Sequence, residues 1–181
     1  MARILMVAAE GLPFIKSGGL ADVIGSLPKE LAKTDHEVRV ILPLYLKIAQ
    51  KFHHEFTLEA QFSVSIAYHE VPVNIWSTMR KDVKFYFVEH KGYFEREEMY
   101  GHIDDGERFA YFQKAVIEMC NQLNYFPEIM HCHDWHTGMI PAMCKEGHSF
   151  DERYRNIRFV YTIHNLAYQG NFGVEMLVSC L

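Results

Sequence analysis

Several things are scarce in this 181-residue chain, and each scarcity excludes something. No apolar run approaches the ~20 residues that a membrane-spanning helix needs, so no spanning segment is expected. Basic residues are outnumbered, 18 against 23 acidic, for a formal charge of −5. They form no clustered stripe, which argues against a nucleic-acid partner. The four cysteines, Cys120, Cys132, Cys144 and Cys180, form no C-x-x-C pair. With no signal peptide at Met1-Ala2-Arg3, reduced thiols and a cytoplasmic location are the expectation. There is no internal repeat, low-complexity tract or Pro/Gly/Ser-rich linker, so residues 1–181 read as one domain. With 49% apolar and 23% charged residues, the composition is that of an ordinary globular domain with a sizeable core.

The order of apolar segments sets the fold class. A first strand is expected over 3–9, unbroken in apolar residues from Ile4 to Ala9 as in a strand covered on both faces of a parallel sheet, and Glu10 closes it. Apolar residues then recur at helical spacing: Leu20, Val23, Ile24, Leu27 and Leu31. Pro28 lies inside this helix and predicts a kink or two short helices. A second strand, 38–42, ends at Pro43, completing a right-handed βαβ unit. Alternation over 62–68 and 71–79 predicts a hairpin inserted between parallel units, turning at His69-Glu70. A strand at 83–88 follows, and then a long polar and aromatic loop over 89–107 of the kind that is usually functional or mobile. A clear helix spans 108–123, and short strands are expected at 129–132 and 157–162. The residues running to Leu181 read as a helix cut short. The expected class is α/β: a Rossmann-like, mostly parallel sheet with helices on both faces and an inserted β-hairpin.

Lys16-Ser17-Gly18-Gly19 sits where the first strand turns into the first helix. Gly18 and Gly19 let a ligand approach the backbone closely. The helix start offers unpaired N–H groups and the positive end of the dipole, and Lys16 adds a full charge. Together these suit a phosphate. Read from these residues alone, a tight turn with a solvated lysine explains the pattern equally. Asp22 lies in the first helical turn, where such a carboxylate is more often a helix-start charge than a site residue.

Two further polar clusters follow strand ends: residues 131–136 (His-Cys-His-Asp-Trp-His) and residues 164–170, opening on His164-Asn165. Ligands of open parallel sheets bind outside the carboxyl ends of the strands, so the three clusters are expected to converge. His131 and His133 are co-facial on a strand, which raises the alternative of a metal-dependent hydrolase using His131, His133 and His136. Neither H-E-x-x-H nor C-x-x-C accompanies them, and hydrogen-bonding roles are the expectation, with no metal.

Four stretches taken together carry a resemblance. They are residues 16–23 (Lys-Ser-Gly-Gly-Leu-Ala-Asp-Val), Tyr100-Gly101 with 105–109 (Asp-Gly-Glu-Arg-Phe), 133–136 (His-Asp-Trp-His), and 162–170 (Thr-Ile-His-Asn-Leu-Ala-Tyr-Gln-Gly). In order and spacing they resemble the bacterial glycogen synthase and plant starch synthase family. The resemblance implies the N-terminal half of a two-Rossmann-domain glycosyltransferase. Such an enzyme would be a retaining glucosyltransferase, extending an α-1,4-glucan (glycogen) from ADP-glucose, or in some relatives UDP-glucose, with no cofactor. Lys16, Gly18 and Gly19 would meet the donor diphosphate, with Asp22 ordering that site. His164 would be catalytic, stabilising charge near the anomeric centre mostly through its backbone carbonyl. Asp134 and Asn165 would bind donor or sugar groups, and Tyr93 and Tyr100 would lie on the acceptor side. The family's chain is more than twice as long. Its C-terminal domain, absent here, supplies an Arg/Lys pair and an acidic residue, so this half is expected to be inactive alone. The alternative is a non-catalytic module binding a glucan or sugar phosphate.

Overall fold

In the computed structural model, which describes residues 1–174 and 176, seven strands form one sheet in the order β3-β4-β5-β2-β1-β6-β7. β1 (Arg3–Val7), β2 (Glu37–Pro43), β5 (Val83–Glu89), β6 (Ile129–His133) and β7 (Arg158–Thr162) are parallel to their neighbours in that set. β1 lies between β2 and β6. Leu5, Met6 and Val7 have no exposed surface. A strand with successive residues all buried must be covered on both faces, as its unbroken apolar sequence requires.

The chain leaves β1 in one direction, toward β2, and later returns to build β6 and β7 on the other side. Right-handed crossovers in opposite directions place their helices on opposite faces. Helix α1 (Gly19–Ala32), which packs on β2 and β5, therefore covers one face. Helices α4 (Asp105–Gln122) and α5 (Ile140–Gly147), which touch each other, cover the second. Between them in sequence lie α2 (Leu46–Phe52) and the four-residue α3 (Lys91–Phe94). A last short helix, α6 (Glu152–Arg155), leads into β7. The point where strand order reverses, between β1 and β6, is where such sheets bind ligands.

Three sequence expectations need correction. The hairpin strands are longer than the alternation indicated: β3 is Thr57–Ile66 and β4 is His69–Arg80. The turn falls at Ala67-Tyr68, where Ala67 has φ 53°, and not at His69-Glu70. The hairpin also does not stand apart. β4 pairs antiparallel with β5, so the insertion widens the same sheet. Second, α1 is one continuous helix through Pro28. Ile24 and Pro28 are buried, and Leu27 and Leu31 pack on the core, so helical turns on both sides of the proline are held, and two separate helices do not form. Third, the 89–107 loop contains α3, and α4 begins three residues earlier than its apolar face implied, at Asp105. Cys180 and the helix start expected near Leu181 lie outside the described residues. Among the described residues no helix is long and apolar enough to cross a membrane.

The segment after β1 is pinned from beneath. The Phe14 ring lies 5.2, 5.0 and 4.8 Å from those of Phe52, Phe85 and Phe87. Such contacts add roughly 0.5–1.5 kcal/mol each beyond area burial. The same segment crosses α1 at Gly25, where a Cβ would stand 2.7 Å from Leu12 Cβ. In an exposed helix Gly→Ala gains about 1 kcal/mol. Here overpacking, which costs about 1–3 kcal/mol, outweighs it. Gly25→Ala is therefore expected to lower the urea midpoint; a raised midpoint would mean that the 10–18 segment yields freely.

Candidate active site

A cleft of about 1000 Å³ opens at the carboxyl ends of β1, β6 and β7. Its walls come from the glycine turn, the Tyr100-Gly101 loop, the residues after β6, and residues 164–172. The three clusters expected to converge do so.

At the end of β1 the key group is one the sequence did not single out. Glu10 is buried, and its carboxylate accepts the backbone N–H of Ser17 and, at 3.2 Å, that of Gly18. α1 has no side-chain cap at Gly18, so a carboxylate from the end of the preceding strand serves there instead. The signal was available: an acid directly after a buried strand has no reason to be there unless backbone donors meet it. At Gly19 nothing lies within 4 Å of the position a Cβ would take. The half-exposed Lys16 holds both carboxylate oxygens of Asp22, at 2.8 and 2.7 Å, and neither residue is among those that line the cleft.

Tyr100 lines the cleft above Glu10, and burial followed by the Glu10 charge pushes its hydroxyl pKa far up. Its loop is fastened from below. Asp105 accepts the Gly101 N–H at 2.7 Å and pairs with the fully buried Arg108 at 2.9 Å. The Arg108 guanidinium lies 5.2 and 5.1 Å from the centres of the Phe94 and Phe109 rings. Tyr93 is elsewhere. It stands against His90 and Tyr111 and donates its hydroxyl to Glu107, outside the cleft lining.

Asp134 follows β6 with φ 58° and ψ 178°. Only glycine adopts that region comfortably, and a non-glycine residue there costs of order 1–3 kcal/mol. Three contacts hold it. Its N–H donates to Thr162 O, its carbonyl accepts from Thr137, and its Oδ1 accepts the backbone N–H of His164 at 2.7 Å. The strain thus places a carboxylate across the end of β7 and fixes the backbone of His164. Asn165 Oδ1 accepts the Ala167 N–H at 2.9 Å, tightening the next turn. Further along, Gly170 (φ 63°) lies flat on the Trp135 indole, where a Cβ would come within 2.4 Å of the ring.

The histidines around β6 are committed to neighbours. His131 and His133 are co-facial, as alternation predicted, with rings 4.0 Å apart and stacked. His131 Nε2 meets Thr162 Oγ1 at 2.8 Å, and His133 Nδ1 meets His164 Nε2 at 3.0 Å. His136 lies instead against Trp135 and Phe109. Among the described residues no three His, Cys, Asp or Glu side chains are grouped to hold a metal ion.

Residues 3–180 match the family model of the starch synthase catalytic domain. The chain belongs to that family. It is similar to the glycogen synthases of Streptococcus agalactiae NEM316 (46% identity) and Streptococcus pneumoniae CGSP14 (47%), over 97% of its own length. It spans only 37% of those relatives. The catalytic domain of Starch Synthase IV from Arabidopsis thaliana, bound to ADP and acarbose, superposes with a TM-score of 0.88 at 29% identity. That match covers 99% of this chain and 37% of that one. A sucrose-phosphate synthase from Thermosynechococcus elongatus, at 13% identity and TM-score 0.52 over 92% of this chain and 34% of that one, shares the fold. The family thus accounts for the mixed seven-stranded sheet.

The buried imidazoles make stability fall in acid. Burial, followed by His131 and His164 for His133 and by Arg108 for His136, pushes each of these two down to about 3. The unfolded chain binds their protons near pH 6.5, whereas the folded chain refuses them until about pH 3. Stability is therefore complete above pH 6.5 and is lost as pH falls below it, by about 1.4 kcal/mol per unit per histidine. Between pH 7 and 5 the unfolding free energy should drop by about 2 kcal/mol for each. His136→Phe, which keeps the ring contacts, should remove its share of the slope in urea titrations at the two pH values.

Proposed function

We propose that this chain is the N-terminal Rossmann-like half of a retaining glucosyltransferase that moves glucose from ADP-glucose to the non-reducing end of an α-1,4-glucan. The observation that carries the reading is the convergence of the glycine turn, the strained Asp134 and His164 on one cleft at the β1/β6 switch point. Membership of the starch synthase family and the ADP and acarbose bound to the Arabidopsis neighbour support it. Localisation in the cytoplasm accompanies this reading.

The residues divide the work by position. Gly19 faces open space, and Lys16 supplies a cation held in place by Asp22. A diphosphate seated there gains charge-assisted hydrogen bonds while negative charge builds up on it as leaving group. Ser17 and Gly18 are already taken by Glu10, so the donor phosphates rest on the Gly19 side of the turn. His164, its N–H clamped by Asp134, keeps its backbone carbonyl at a fixed place for the positive charge that develops at the anomeric carbon. Asp134, Asn165 and Tyr100 face the sugars. A wider cleft, closed by the chain that relatives carry beyond this length, is needed to exclude water. The 181-residue chain by itself should bind weakly and transfer negligibly.

Calorimetric titration with ADP-glucose and maltotetraose tests the assignment. Lys16→Ala should weaken ADP-glucose about 10- to 100-fold, the value of a lost charge-assisted bond, and leave maltotetraose unchanged. Gly19→Val should leave the melting temperature within about 2 °C, since nothing occupies that space, yet abolish ADP-glucose binding. Undiminished binding in both variants would remove the diphosphate from this turn.

A further inference from the structure

Among the described residues, His133 is the one buried histidine whose ring touches another imidazole nitrogen to nitrogen. It has no exposed surface. Its Nδ1 lies 3.0 Å from Nε2 of His164, and its own Nε2 is buried without a partner among the described residues. The two rings are nearly parallel, at 23°, with centroids 5.2 Å apart. The His131 ring also stacks with that of His133, with centroids 4.0 Å apart.

A single proton must lie in the 3.0 Å contact, and there are two ways to place it. If His164 donates from Nε2, His133 accepts at Nδ1. A neutral His133 then carries its proton on Nε2, where a buried N–H has no acceptor. If His133 donates from Nδ1, its Nε2 keeps only a lone pair. Orphaned buried N–H groups are the rarer state, because the desolvated donor forfeits a full hydrogen bond. A doubly protonated His133 would set a charge between two imidazoles with no carboxylate on either ring, and burial holds this group neutral down to about pH 3.

We infer that His133 is a positioning residue for the site: it donates from Nδ1 to Nε2 of His164 and so fixes His164 as the Nδ1–H tautomer. Nδ1 is then the ring nitrogen of His164 left to meet a ligand, and it meets it as a donor. The cleft at this point selects an oxygen lone pair and rejects a hydroxyl that offers its hydrogen. The proton placement stands on the geometry alone. Its use on a sugar oxygen rests on the glucosyltransferase reading.

Two-bond ¹H–¹⁵N correlation on the histidine-labelled 181-residue chain at neutral pH tests this directly. His164 should show a protonated Nδ1 and an unprotonated Nε2. His133→Leu should move His164 to the Nε2–H pattern or to an averaged one. His133→Asn, whose amide nitrogen occupies the place of Nδ1, should restore the wild-type pattern, which a purely space-filling role would not require. An Nε2–H pattern for His164 in the wild type overturns the inference, and so does a pattern unmoved by His133→Leu in a folded variant. Should His133→Leu fail to fold, the wild-type pattern alone decides. Adding ADP-glucose to the same sample separates the two claims. An intact Nδ1–H pattern that ADP-glucose leaves unshifted counts against the functional reading and leaves the tautomer standing.

Discussion

One hydrogen bond, from the His164 backbone N–H to Asp134 Oδ1, ties the ends of β6 and β7 into a single surface. Its partner residue sits in a backbone region that costs of order 1–3 kcal/mol. That cost is met by the Thr162 and Thr137 contacts and by the five-strand parallel sheet beneath. Without the sheet the strain would relax, and without the strain the carboxylate would not cross from one strand end to the next. The cleft follows from this, because Trp135 begins directly after Asp134 and provides the plane on which Gly170 lies. The loop after β7 is thereby folded over the loop after β6.

The second support is Glu10. A carboxylate that takes the first N–H groups of a glycine turn does what a bound anion would do, and it does so permanently. It fixes the turn before any ligand arrives and confines the remaining anion-binding capacity to one side. Preorganisation of this kind reduces what a ligand must spend on ordering the loop. On the far side of the cleft, the buried Arg108–Asp105 pair does the same for the Tyr100 loop.

Much of this was legible in the sequence, and the remainder was hidden for identifiable reasons. The unbroken apolar run of β1 and the strand–helix–strand order that follows announce a parallel sheet, and polar clusters directly after three strands announce where its crevice lies. The hairpin turn was misplaced because alternation in the sequence runs on past Ile66 to Tyr68, through the turn itself, whereas the start of β3 is exposed or half-buried and carries no such pattern. The start of α4 was missed because its first turn is polar, held by Asp105 on Arg108, and not by an apolar face. The resemblance groups Tyr93 with Tyr100, yet Tyr93 stands against His90 and Tyr111, outside the cleft lining. No periodicity encodes the nitrogen-to-nitrogen contact of His133 and His164, since it depends on the register of β6 against β7.

The central position of β1 has a consequence for how the molecule comes to be made. β1 is synthesised first, and its ties to the β2 side span about 34 residues, as in the Ala2–His36 bond. Its ties on the β6 side span 125, as from Arg3 to Glu128. The additional loop-closure entropy is only about 1 kcal/mol, but the wait is long. At about 5–20 residues per second, β6 reaches the ribosome exit on the order of ten seconds after β1. For that interval Leu5, Met6 and Val7 offer a bare apolar strand edge, the template on which other chains aggregate. The nascent chain, more than the finished domain, is where this topology is exposed to misassembly.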